Sequence, residues 1–148
     1  PTGKVPFLKL ANGRGLPESN AIILFLADTV GGGGLIPDDA FTRAQMMSWL
    51  FWEQYSHEPA IAVRRYQKRF LEKSDDEIPA ALMEKGITAL SLLEKQLSHT
   101  EYLVGDSITL ADIALVAYTR LAPEGGFDLS RYPGIMAWIK RAEGDLRF

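Results

Sequence analysis

The chain has 148 residues, 47% of them hydrophobic, enough for one compact core or slightly more. Lys and Arg number 16 and Asp and Glu 19, a formal charge of −3, which argues against a nucleic-acid partner because such a protein normally carries a basic face. There is no cysteine, so disulfide scaffolds, cysteine zinc sites and a cysteine nucleophile are excluded within these residues.

In chain order, residues 5–10, Val-Pro-Phe-Leu-Lys-Leu, predict a short strand with Pro6 near its start. Asn12-Gly13 between apolar residues signals a hairpin, with Leu16 in a second short strand. The crowded apolar positions from Ser19 to Thr29 predict a helix buried on most sides, ended by Gly31 to Gly34 as a flexible linker. The longest apolar run, residues 21–27, falls far short of the ~20 residues a spanning helix needs, and no signal peptide is visible. The expectation is a cytoplasmic protein without a membrane partner.

From Asp38 onward the pattern is helical. Asp38 or Asp39 caps a helix over 40–57, Pro59 interrupts it, and a continuation carries Val63, Tyr66 and Phe70. Ser74-Asp75-Asp76-Glu77 is a capping signal for a helix running to about Ser98. The sharpest local motif is Thr109-Leu110-Ala111-Asp112. Here Thr109 is the N-cap, Asp112 reaches back to its N–H, and Ile108 and Ile113 flank the pair as a hydrophobic staple. Losing such a cap costs about 0.5–2 kcal/mol. This helix runs to about Leu121 and a final one spans 133–143.

Two short stretches suggest a binding site. The residue before a proline is pushed into an extended conformation, and the proline itself cannot donate to a neighbouring strand. The Val5 main chain is therefore able to face an extended peptide and offer its N–H and C=O. Glu18 and Ser19 stand at a helix start, where free N–H groups and the helix dipole favour an anion, and the Glu18 carboxylate suits an ammonium. Together these groups fit a small zwitterionic peptide. On the 40–57 helix, Trp49, Trp52 and Tyr55 share a face near Phe51; they line an apolar pocket or pack between helices, with Tyr118 and Pro123 as weaker pocket candidates. Arg64, Arg65, Lys68 and Arg69 form a basic cluster whose default reading is a solvated face. His57 and His99 lack partners at metal spacing, so no metal is expected.

Gly3-Lys4-Val5-Pro6, Asn12-Gly13 and Leu16-Pro17-Glu18-Ser19-Asn20-Ala21-Ile22, followed by the Thr109–Asp112 box, occur in an order and spacing that resembles the soluble glutathione transferases of bacterial type. The resemblance covers nearly the whole chain. It implies an α+β fold, mostly α: the C-terminal part of a thioredoxin-like domain over 1–30, a linker over 31–38 and an all-helical domain over 39–148. It implies glutathione as co-substrate. Val5 and Pro6 would take its cysteinyl backbone, Ser19 its γ-glutamyl carboxylate, Glu18 its ammonium and Lys4 its glycyl carboxylate. The implied reaction is conjugation of the glutathione thiolate to a hydrophobic electrophile, as in detoxification. Glutathione-dependent disulfide reduction and a non-catalytic carrier are the alternatives. The thiol-activating Tyr, Ser or Cys of the family belongs to a strand-helix-strand expected ahead of these residues, so no catalytic residue is named. A homodimer is also implied, with the 19–29 and 40–57 helices near its twofold axis.

Overall fold

The computed structural model describes residues 3–147, so the outermost ends of the first and last domain ranges drawn above lie outside the described residues. Two three-residue strands, β1 (Phe7–Lys9) and β2 (Gly15–Pro17), pair antiparallel with Phe7 opposite Pro17 and Leu8 opposite Leu16. Their turn closes through Gly13 N–H to Leu10 O and Leu10 N–H to Arg14 O, with Gly13 at φ 83°, a region where a side chain is disfavoured. Helix α1 (Ser19–Val30) follows and ends on Gly31 in the left-handed conformation.

The rest is helical: α2 (Ala40–Trp52), a π-helical turn (Glu53–His57), α3 (Glu58–Arg69), a 3-10 turn (Asp75–Glu77), α4 (Ala80–Leu97), α5 (Leu110–Thr119), two further 3-10 turns (Ala122–Gly125 and Leu129–Arg131) and α6 (Pro133–Leu146). This is the mostly helical α+β architecture expected from the sequence. The core is built by one face from each of α2, α4, α5 and α6, with Leu50, Leu90, Leu93, Leu115, Ile135 and Trp138 essentially inaccessible. Full burial of one such side chain stabilises by about 1.5–3 kcal/mol.

Three local expectations change, and a fourth holds and is extended. Pro59 does not interrupt the long helix. The proline has no N–H for the carbonyl four residues back, and the widened turn just before it, where Glu58 N–H donates to Glu53 O, carries the helix through. Ser74 and Glu77 do form a reciprocal cap, but it serves the 3-10 turn; α4 begins only after Pro79. The basic cluster is not simply a solvated face: Arg64 is buried, donating to Gly125 O at 2.8 Å and pairing with Asp75, while Arg65 pairs with Glu124 and Lys68 with Asp75. The Thr109–Asp112 box forms, and Asp112 does more than cap. Fully buried, its carboxylate accepts from Thr109 N (2.9 Å), Thr109 Oγ1 (2.9 Å), Leu103 N (3.0 Å) and Trp138 Nε1 (2.9 Å). One side chain thus ties the start of α5 to the preceding loop and to α6.

His57 is likewise buried, at the end of the π turn. Its Nε2 lies 2.9 Å from Thr119 Oγ1, and that hydroxyl spends its own proton on Leu115 O at 2.7 Å, so Nε2 is the donor. Nδ1 is then an unprotonated acceptor, buried without a partner among the described residues, and burial lowers the imidazole pKa to about 4.

Candidate functional site

The hairpin register decides what meets at the amino-terminal end. Because Phe7 faces Pro17, the residues just before β1 lie beside those just after β2, which brings Val5 and Pro6 next to Glu18. The Val5–Pro6 peptide is cis, and Val5 is 92% exposed. Glu18 opens α1: its carbonyl accepts from Ile22 N–H at 2.9 Å while its own φ is 71°. A positive φ at a non-glycine residue costs about 1–3 kcal/mol and marks a position worth testing for function. The Glu18 side chain makes no cap hydrogen bond to the helix, so its carboxylate is available for a ligand.

A cleft of about 490 Å³ runs between this end and the helical body. One wall is Lys4, Val5, Pro6, Glu18 and Ser19, continued by Asn20 and Ile23 of α1. The other is Glu53 and Gln54 of the π turn, Glu58 of α3, and Ile113, Ala114, Ala117 and Tyr118 of α5. The five residues proposed from sequence for a peptide ligand therefore line one cavity, and Tyr118 lines it with them. Trp49, Trp52 and Tyr55 do not. Trp49 borders a groove with Leu92, Gln96 and His99, whereas Trp52 and Tyr55 border another with Pro59, Ala60 and Leu92. Trp49 and Trp52 pack edge to face, centroids 5.2 Å apart. Trp49 and Trp52 stand on α2 ahead of the widened turn and Tyr55 stands within it, and none of the three borders the cleft with α5.

Sequence reasoning missed Asn20, Glu53, Gln54 and Glu58. Asn20 Nδ2 donates to Leu50 O at 3.2 Å and to Glu53 Oε2 at 3.3 Å, and Gln54 Nε2 donates to the same Oε2 at 2.7 Å. Glu53 is 2% exposed, and burial raises its pKa. The Tyr118 hydroxyl is held above its ordinary value by burial first and then by the charges of Glu58 and Glu53, so it remains a neutral donor at physiological pH. One signal hinted at this group: Asn20 directly follows Glu-Ser. Glu53 and Glu58 are five residues apart, a spacing that does not share a face on a regular α-helix, so the sequence gives no reason to group them.

The cleft therefore offers an exposed backbone edge, a helix start with a free carboxylate beside it, and a small-residue apolar wall ending in a tyrosine. That arrangement can hold a short peptide along one side and an apolar group against the other.

The glutathione S-transferase C-terminal domain family matches residues 44–144. Among solved structures, a glutathione S-transferase from Pseudomonas fluorescens is 50% identical with a TM-score of 0.89, over 95% of this chain and 70% of that one. A sphingomonad glutathione S-transferase complexed with glutathione is 29% identical with a TM-score of 0.82, over 96% and 69%. Among curated proteins, a glutathione S-transferase-like protein of Fusarium is 34% identical over 148 residues, 95% of this chain and 66% of its own length. The chain spans 57% to 66% of the length of the curated relatives it matches, one of which, from Escherichia coli, is a disulfide-bond oxidoreductase. With two thirds of its length matched by that domain and a shared fold along nearly all of it, the chain belongs to the glutathione S-transferase family.

Proposed function

We propose that this chain provides the glutathione site of a glutathione transferase that joins the glutathione thiolate to a hydrophobic electrophile. The observation that carries this reading is the single cleft lined by Lys4, Val5, Pro6, Glu18 and Ser19 on one side and by Ile113, Ala114, Ala117 and Tyr118 on the other. The cysteinyl residue of glutathione pairs with the Val5 main chain as an added strand. The γ-glutamyl carboxylate meets the Ser19 hydroxyl and N–H at the start of α1, and its ammonium meets Glu18. Lys4 faces the glycyl carboxylate. The thiol then points toward the α5 wall, where the electrophile rests on Ala114, Ala117 and Tyr118.

A free thiol has a pKa near 8.5, so the site must favour the thiolate. The residues described here contribute by positioning: holding nucleophile and electrophile in attack geometry lowers a barrier by up to about 7–11 kcal/mol. The activating donor, by family resemblance, comes from a strand-helix-strand ahead of these residues. The same resemblance carries the expectations of a homodimer, a cytoplasmic location and a detoxifying role. Exposed Val30, Phe41 and Phe51 on α1 and α2 suit a second copy.

The test is calorimetric titration of glutathione into the full protein and its Glu18→Ala and Ser19→Ala variants, run beside conjugation of an aryl halide and glutathione–disulfide exchange. Weaker binding in both variants together with conjugation supports the proposal. Exchange without conjugation replaces it with the reductase reading, which the Escherichia coli relative favours. Binding without either activity leaves a carrier.

A further inference from the structure

We infer that Glu53 and Asn20 form a clamp that positions the glutathione end of α1, acting by hydrogen bonding and not by the charge of Glu53. The inference rests on the glutathione reading above and assigns these two residues a part in it. Among the described residues, the side-chain hydrogen bonds from α1 to the helical body are both made by Asn20, to Leu50 O (3.2 Å) and to Glu53 Oε2 (3.3 Å). Asn20 is the residue immediately after Ser19, in the first turn of α1. A rotation or slide of that turn moves the Ser19 hydroxyl and the Glu18 carboxylate together.

Glu53 suits this role for three reasons. Its carboxylate is almost wholly buried, so the side chain has little freedom. A single oxygen, Oε2, receives both Asn20 Nδ2 and Gln54 Nε2 (2.7 Å). Both donors are neutral amides, so the arrangement is a hydrogen-bonded node and not an ion pair. The π turn supplies the reach. It begins at Glu53, and the local widening presents Glu53 and Gln54 to the cleft while the helix continues into α3. Short π segments of this kind occur often at functional sites. Neither Glu53 nor Asn20 needs to touch the reacting thiol; both are positioning residues, working through Ser19 and Glu18.

The amide of glutamine can replace the carboxylate in this geometry, because its one carbonyl oxygen accepts from both donors. That separates the clamp from a charge effect. The experiment measures the glutathione dissociation constant by calorimetry for the full protein, Asn20→Ala, Glu53→Gln, Glu53→Ala and the Asn20→Ala/Glu53→Ala double variant. Denaturation midpoints are taken alongside. The expected result is a loss of about fivefold to tenfold for Asn20→Ala and Glu53→Ala, a loss of similar size for the double variant, and near-native affinity for Glu53→Gln. Glu53→Gln as weak as Glu53→Ala overturns the inference in favour of charge. Native affinity in Asn20→Ala and Glu53→Ala overturns it outright, as does a double variant whose losses simply add. If Glu53→Ala does not fold, Asn20→Ala and Glu53→Gln still decide: a native Asn20→Ala or a weakened Glu53→Gln overturns the clamp. Absence of glutathione binding by the unaltered protein strikes the underlying site reading and is thereby distinguishable from failure of the clamp.

Discussion

Helix α1 holds no buried residue, whereas α5, two residues shorter, buries Leu110, Ala111, Asp112, Leu115, Val116 and Thr119. Composition does not explain the contrast, since residues 21–26 of α1 read Ala-Ile-Ile-Leu-Phe-Leu. The neighbours do. Helix α5 is packed against α2, α3, α6 and the π turn, while α1 touches α5 along one side and is tied to α2 and the π turn through Asn20. The cleft lies where these two helices face each other, with Ser19, Asn20 and Ile23 from one and Ile113, Ala114, Ala117 and Tyr118 from the other. The binding groups stand on the lightly packed side and the rigid wall on the densely packed side. Substitutions on the α5 side are therefore expected to act on stability, and those on the α1 side on binding.

The largest expected effect is at Asp112. Asp112→Ala leaves the Leu103, Thr109 and Trp138 donors buried without their acceptor and lowers stability by about 4 kcal/mol, more than the cap alone would cost. Chemical denaturation measures this, and a loss under 2 kcal/mol would mean that the four-bond node is not formed. Next is acid sensitivity through His57. Its folded pKa of about 4 lies below the ordinary 6.5, so the unfolded chain takes up the proton first as pH falls. Stability from this residue is complete above pH 6.5 and is lost progressively down to pH 4, by about 3 kcal/mol. Denaturation midpoints of the native protein and His57→Gln, compared across that interval, should show a shallower decline in the variant. Parallel curves would remove His57 as the source.

A smaller effect is expected at Gly86 of α4, where an added Cβ would lie 2.3 Å from the ring of buried Phe127. Gly86→Ala should destabilise by about 1–3 kcal/mol even though alanine is the better helix former; an increase in the midpoint would show that Phe127 can retreat. The smallest stability effect belongs to the α1 side. Ser19→Ala should change the midpoint by no more than about 0.5 kcal/mol while weakening glutathione binding. A large stability loss with unchanged affinity would invert the contrast between the two helices.

Legibility in the sequence follows the range of the interactions. The Thr109–Asp112 box was readable because both partners lie within one helical turn, but the contacts of Asp112 to Leu103 and Trp138 span 9 and 26 residues and leave no local trace. Val5, Pro6, Glu18 and Ser19 could be grouped because one Asn-Gly hairpin joins them, and an antiparallel register maps sequence distance onto space. The wall opposite was harder. Its Glu53 and Gln54 belong to a π turn that no residue pattern announced, and Tyr55 of the same turn borders a different groove. Apolarity alone also misjudged α1, which was expected to be buried on most sides; the described neighbours cover only part of it.

The most direct test of the central claim is a crystal structure of the full protein with glutathione bound. The expected complex has the cysteinyl backbone paired with the Val5 N–H and C=O, and the γ-glutamyl carboxylate against the Ser19 hydroxyl and N–H. Glutathione seated elsewhere, or an open cleft at saturating glutathione, would contradict it.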